Sequence, residues 1–388
     1  MRGLVVAALL FVFAAPVAVA APPPGTCLAE VKPHPVRPDR PWEDRMLDPS
    51  RVWGVTKGAG VRVGVIDSGV DSDNPHLRGK VFPGFDFVRN VAGGRFDCAP
   101  HGTPVASIIV GAQLEGSGFR GLAPDARIVP ARVTDTDEIE GGPAVVAAAI
   151  RYAVDEGVQV LNLSLTVFQD VPELKEAVEY AQEKDVLVIA AAGNLRDSDN
   201  PTPYPAAYPG VLGVGSIDIN GARAQDSQVG EYVDLVAPGV KVTGCWPSAG
   251  HNLWQGTSFA TPFVTGTAAL VRSAWPSLTA AEVAARLVRT ASVSRGGARS
   301  PEYGTGVVNP YRAVTDTTVA GEPEPVEVTP LPGPQTDLVA ERREAAVRAA
   351  DQNARGTATT LLVVVLGGLV LGGLVLAGRR RGWTATRR

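Results

Sequence analysis

The chain has 388 residues, 45% of them hydrophobic, and a formal net charge of −4. That is enough for a globular core with peripheral segments attached. No basic stripe runs through its centre, so no nucleic-acid partner is expected, and no CxxC or His/Cys spacing calls for a metal or cofactor.

In chain order, Met1-Arg2, the apolar run Leu4–Val19 and the small-residue exit Ala18-Val19-Ala20 read as a secretory signal over residues 1–20, with an uncleaved anchor as the alternative. Residues 21–50 carry eight prolines, among them Pro22, Pro23 and Pro24, and predict an extended arm that does not fold alone. The arm also holds Cys27. With Cys98 and Cys245 there are three possible single pairings; the preferred one is Cys27–Cys98, leaving Cys245 over in a later loop.

Residues 51–315 alternate β-branched apolar runs with helical patterns. Strands are predicted at 61–66, 127–132, 158–163, 186–191, 211–217 and 232–236, and helices at 102–112, 143–156, 172–184, 258–275 and 279–290. Strands apolar on both faces, alternating with helices, predict an α/β fold with a mostly parallel sheet covered on both sides.

Several strand and helix ends carry chemistry. The first strand runs into Asp67-Ser68-Gly69, beyond the carboxyl end where open α/β sheets gather their ligands. A turn-initiating aspartate is the bland reading. An aspartic-protease pair fails because no second Asp-Ser/Thr-Gly occurs. His101-Gly102-Thr103 opens an apolar helix, which suits an imidazole for proton transfer. Of the other histidines, His34 is in the arm, His76 in an Asn-Pro-His turn, and His251 in a glycine-rich loop seven positions before Ser258. His251 is the competitor for the base. Asn194 follows a buried strand and Gly193, as an oxyanion donor or a loop cap. Gly256-Thr257-Ser258-Phe259-Ala260-Thr261-Pro262 places a hydroxyl on a tight turn at a helix start, the position of a nucleophile.

Residues 316–357 become polar and proline-containing, a stalk with a short charged helix at Glu341–Arg348. Residues 358–378 are uncharged, and about 20 residues span about 30 Å as a helix, enough to cross a bilayer. Arg379, Arg380 and Arg381 predict a cytoplasmic tail over 379–388 and a body outside the cell membrane, anchored by a single pass. Gly368 and Gly372 are a candidate helix-packing pair.

The order Asp67, His101, Asn194, Ser258, with Gly121-Leu122-Ala123-Pro124, Asn162-Leu163-Ser164-Leu165, Tyr204-Pro205-Ala206-Ala207-Tyr208-Pro209 and Val236-Ala237-Pro238-Gly239, resembles the subtilisin-like serine proteases over about 260 residues. The resemblance implies their three-layer fold and a catalytic triad. Ser258 would be nucleophile, His101 base, Asp67 its orienting acid, and Asn194 with the Ser258 N–H the oxyanion donors. Ser164, Leu165 and Thr166 would bind a protein or peptide substrate as an added strand. Two departures stand out. Thr166 replaces the usual glycine and is expected to narrow the primary pocket, and Phe263 replaces a histidine, expected to repack the helix.

Only the 46 residues 21–66 separate the predicted cleavage point from Asp67, too few for an independent folded prodomain. Signal, cysteine-bearing arm, protease domain, stalk and single membrane helix together resemble the mycosins, membrane-anchored proteases of type VII (ESX) secretion. That resemblance implies processing of exported proteins and association with the secretion membrane complex. A mainly structural role in that complex is the alternative.

Overall fold

The computed structural model describes Cys27, residues 31–136, Ile139 and residues 141–317. The segments expected as signal, charged stalk helix, membrane span with its glycine pair, and tail lie outside the described residues, as does most of the expected stalk. Among the described residues no helix is long and apolar enough to cross a membrane.

Seven strands lie in parallel register around a central one. They are β1 (Arg62–Asp67), β2 (Phe85–Asp86), β4 (Arg127–Arg132), β5 (Val160–Leu163), β6 (Leu187–Ala191), β7 (Leu212–Ile217) and β8 (Leu235–Pro238). The two-residue β3 (Val91–Ala92) adds antiparallel to β2, giving the order β3-β2-β4-β1-β5-β6-β7-β8. Alternate residues of each strand enter separate cores. Val63, Val65, Ile128, Val160, Leu187 and Ile189 face one side, and Ile66, Val129, Leu161, Leu163, Val188 and Ala190 the other. This double burial is why the strands read as unbroken apolar runs.

The first core is closed by α2 (Gly102–Val110) and α5 (Thr257–Ala274), with α6 (Ala280–Arg289) and α7 (Pro310–Thr315). The second is closed by α3 (Gly142–Asp155) and α4 (Pro172–Glu183). Gly64 lets α3 approach β1, since a Cβ there would meet the Leu161 side chain at 2.6 Å and the Ala153 Cβ at 3.2 Å. β1 is flanked by β4 on one side and β5 on the other, with α2 and α3 departing to opposite faces. Its carboxyl end is therefore the switch point where a crevice opens.

Three expectations need correcting. The strand expected at 232–236 is displaced to Leu235–Pro238: Val233 turns back to the Gly230 carbonyl, and the Asp234 carboxylate takes the Gly213 N–H that a strand carbonyl would have taken. An antiparallel hairpin, β9 (Val240–Cys245) and β10 (His251–Gln255), was not anticipated. It places Cys245 and His251 opposite each other at strand ends, not in loops. Thirdly, the arm is extended only to Pro41. It then forms α1 (Trp42–Leu47) and a 3-10 turn (Pro49–Val52), whose Leu47 and Val52 enter the first core.

The extended stretch of the arm is held by backbone bonds and one stacked ring. His34 N–H donates to Ala249 at 2.9 Å, His251 N–H to Pro35 at 3.1 Å, and Gly118 N–H to Arg37 at 3.0 Å. The His34 ring lies 4.0 Å from that of Trp246. Cys27 and Cys98 are disulfide-bonded, Cα atoms 5.3 Å apart, and the bridge spans 71 residues of chain. Closing a loop of that length stabilises the fold by about 4 kcal/mol in the chain-entropy model. Cys27→Ser with Cys98→Ser is therefore expected to lower unfolding free energy by about that amount in urea titration.

Burial of α1 has a pH consequence. Glu43 is 2% exposed; its Oε1 accepts the Thr243 N–H and its Oε2 has no hydrogen-bond partner. Burial pushes its carboxyl up to about 7. The folded state thus holds a proton that the unfolded chain releases near the ordinary 4.5. The resulting stability is complete below that ordinary value and is lost as pH rises through about 7, on the order of 3 kcal/mol. Relative to Glu43→Gln, the wild type should lose melting temperature between about pH 5 and 8.

Candidate active site

A cleft of about 780 Å³ opens at the switch point. Its walls include Asp67, His101, Asn194 and Ser258, four residues separated by up to 191 positions in sequence, together with Ser164, Leu165 and Thr166. Apart from Asp67 and His101, no described residue of the wall ionises.

Asp67 is the last residue of β1 and is 4% exposed. Its Oδ1 lies 2.7 Å from His101 Nδ1 and also accepts the Ser68 N–H at 2.7 Å. A carboxylate can only accept, so the imidazole proton sits on Nδ1 and the basic lone pair on Nε2. Asp67 Oδ2 is buried without a hydrogen-bond partner. His101 stands at the N-cap of α2, its ring 4.9 Å from that of Phe259.

Ser258 is the second residue of α5. Gly256 before it has φ +130°, and a Cβ there would meet Asn194 Nδ2 at 3.1 Å, so both backbone and neighbour require glycine. Pro262, four residues on, has no N–H to bond the Ser258 carbonyl. The Ser164 hydroxyl takes that carbonyl instead, at 2.6 Å. Ser164 accepts from Asn162 Nδ2 at 2.9 Å, and Asn162 Oδ1 accepts from Thr265 Oγ1 at 2.9 Å. A buried chain of side chains therefore fixes the turn carrying Ser258. Ser164, expected only to border substrate, is also part of that support.

Asn194 is exposed to the cleft. Its Oδ1 accepts from the Thr257 N–H at 2.8 Å and the Thr257 hydroxyl at 3.0 Å, while Thr257 Oγ1 accepts the Gly193 N–H at 3.1 Å. With its oxygen committed, the amide presents Nδ2 as donor. Thr257 was not singled out in the sequence; its place between Gly256 and Ser258 was the only signal. Thr166 stands in the cleft wall, and Phe263 is buried at 3% beside the void under α1 that Pro41 and Leu47 also line.

His251 does not compete with His101. It and His76 are each 3% exposed, and the cleft wall includes neither. Arg37 N–H donates to His251 Nδ1 at 3.1 Å, and His76 Nδ1 meets the Ala112 carbonyl at 2.6 Å. The one proton between the rings therefore lies on His251 Nε2, 3.1 Å from His76 Nε2. Burial, then His76, then Arg37 push His251 down to about 4, and burial lowers His76. The Cys245 thiol completes a group of ligand atoms within 4.8 Å of one another. The shared proton sits on the His251 nitrogen that faces His76, and burial drives the thiol up to about 12, so a cation bound there would have to displace both protons.

The Peptidase S8, or subtilase, family matches residues 58–306. A thermophilic serine proteinase of Bacillus sp. (strain AK1) is 39% identical over 68% of this chain and 64% of its own length, just under two thirds. Thermitase of Thermoactinomyces vulgaris is 35% identical over 71% of this chain and 96% of its own length. Among solved structures, the MycP3 protease from the type VII (ESX-3) secretion system superposes with a TM-score of 0.65 at 31% identity, over 76% of this chain and 97% of that one.

Proposed function

Because the chain belongs to the subtilase family of serine proteases, we propose that it is an endopeptidase in which Asp67, His101 and Ser258 form the triad and Asn194 donates to the oxyanion. The observation that carries this reading is the His101 Nδ1 to Asp67 Oδ1 bond in the same cleft wall as Ser258. Ser258 Oγ attacks the scissile carbonyl as His101 Nε2 takes its proton. Asp67 stabilises the imidazolium, and Asn194 Nδ2 with the Ser258 N–H stabilises the oxyanion. The imidazolium returns the proton to the leaving amine, and water then resolves the acyl-enzyme by the same steps in reverse roles. Substrate lies extended along Ser164, Leu165 and Thr166, meeting backbone with backbone.

The finer reading places this activity at the cell membrane. Residues 1–20 direct export, residues 358–378 cross the bilayer once, and the protease domain acts outside on proteins leaving through a type VII system. The likeness to MycP3 and the apolar segment ahead of Arg379-Arg380-Arg381 support it. A mainly structural part in the secretion complex is the second reading, favoured by the anchor itself. Export measured in cells carrying Ser258→Ala, or a chain ending at residue 357, separates them. Processing lost with Ser258→Ala, and export retained, supports the protease reading. Export that needs only the anchor, with every substrate left processed, contradicts it.

A further inference from the structure

We propose that Asp97 is a positioning residue of this site, a second buried carboxylate that sets the Asp67–His101 pair through Ser68. The inference rests on the protease reading above and deepens it. Asp97 is 3% exposed and forms no part of the cleft wall, so it does not touch substrate.

Its two oxygens accept from the two segments that carry the pair. Oδ1 accepts the Ser68 hydroxyl at 2.8 Å, on the turn immediately after Asp67. Oδ2 accepts the Thr103 N–H at 2.8 Å, in the first turn of α2, two residues beyond His101. Ser68 Oγ accepts the Gly102 N–H at 2.9 Å, and Ser68 N–H donates to the Asp67 Oδ1 that also receives His101 Nδ1. The result is a closed ring of hydrogen bonds. Asp67–Ser68 forms one side, His101–Gly102–Thr103 the other, and Asp97 ties them. Two otherwise unpaired N–H groups at the start of α2 are satisfied within it.

Both Asp97 oxygens face donors, so an amide reproduces the ring only with a change of direction. With Oδ1 on the Thr103 N–H its NH2 faces Ser68 Oγ, which must then accept from it as well as from Gly102 and turn its own proton to another acceptor. Position 97 then no longer holds Ser68 as a donor. Charge gives a second effect. Asp67 lies near Asp97 on the β1 side and His101 on the α2 side. From β4 comes buried Arg132, over the Phe96 ring at 4.6 Å and paired with Asp86 at 2.7 Å, with Arg89 beside Asp86. Burial, with Asp67 nearby, pushes Asp97 up to about 7. Whatever negative charge it carries favours the protonated form of His101, so removing it should ease proton loss from that ring.

The test compares the full-length wild type with Asp97→Asn and Ser68→Ala. It reads kcat and KM on a peptide ester, melting temperature, and the titration of His101 by NMR on histidine-labelled protein. There are four histidines, and His101→Gln assigns the resonance. In both variants kcat should fall about 10- to 100-fold, as expected for a sub-ångström to 1 Å misplacement, with KM changed less than about twofold. In Asp97→Asn the His101 midpoint should move to lower pH. A folded Asp97→Asn whose kcat and His101 midpoint both match wild type overturns the proposal, even if it melts earlier. Should Asp97→Asn not fold, Ser68→Ala decides, and an unchanged kcat there overturns it. The NMR titration needs no turnover. A wild type that hydrolyses nothing would sink the protease reading, while the His101 shift would still report on Asp97.

Discussion

Ser258→Ala is expected to lower kcat for peptide hydrolysis by about a millionfold, the loss known for the triad serine of subtilisin, a relative. The size follows from the loss of the covalent route itself. Without Oγ there is no acyl-enzyme, and His101 has no hydroxyl to deprotonate. The fold should not be disturbed, because Ser258 holds its place through backbone groups: its carbonyl is bound by Ser164, and the turn before it is set by Gly256. His101→Ala should cost about as much, and the double variant little more, because the residues act as one unit. Peptide-ester kinetics checks both; additive losses in the double variant would mean that the two side chains act separately.

Asn194→Ala is expected to reduce kcat by about 10²- to 10³-fold while KM stays nearly constant, again a magnitude known from subtilisin. The reasoning is geometric. Both hydrogens of Nδ2 are left to the cleft because Oδ1 is bound twice by Thr257, so the donor is already aimed before substrate arrives. It meets charge only as the tetrahedral oxyanion forms, which is why the loss should appear in kcat. Thr257→Val should produce a smaller loss of the same kind, since it removes one of the two bonds that hold Oδ1 and leaves the one from the residue 257 N–H. An Asn194→Ala variant with unchanged kcat and raised KM would show that the amide binds ground-state substrate instead.

Much of this architecture was legible because parallel strands buried on both faces write their own signal. Apart from exposed Arg62, Val61–Ile66 and Val186–Ala191 are apolar on both faces, and each empties into a candidate site residue, Asp67 and Asn194. Ser258 was legible for a local reason, a glycine turn before an apolar helix. The hairpin Val240–Cys245 and His251–Gln255 was harder to see, because the half-polar outer face of β10 gives only a short alternation. α1 was hidden by prolines that dominate the arm's composition while leaving Trp42–Leu47 free of them. The supporting polar residues were illegible for a different reason. Asp97, Asn162 and Thr265 acquire meaning only when residues 29 to 103 positions apart are brought within hydrogen-bond reach. One clue was present in the sequence: a proline four residues after Ser258 leaves that serine's carbonyl in need of an outside donor.

The convergence of Asp67, His101 and Ser258 is tested most directly by reacting the folded full-length chain with a fluorophosphonate and mapping the adduct by peptide mass spectrometry. A single adduct on Ser258, lost in His101→Ala and retained in His251→Ala, is the predicted result. An adduct on another serine, or labelling that depends on His251 instead of His101, would contradict it.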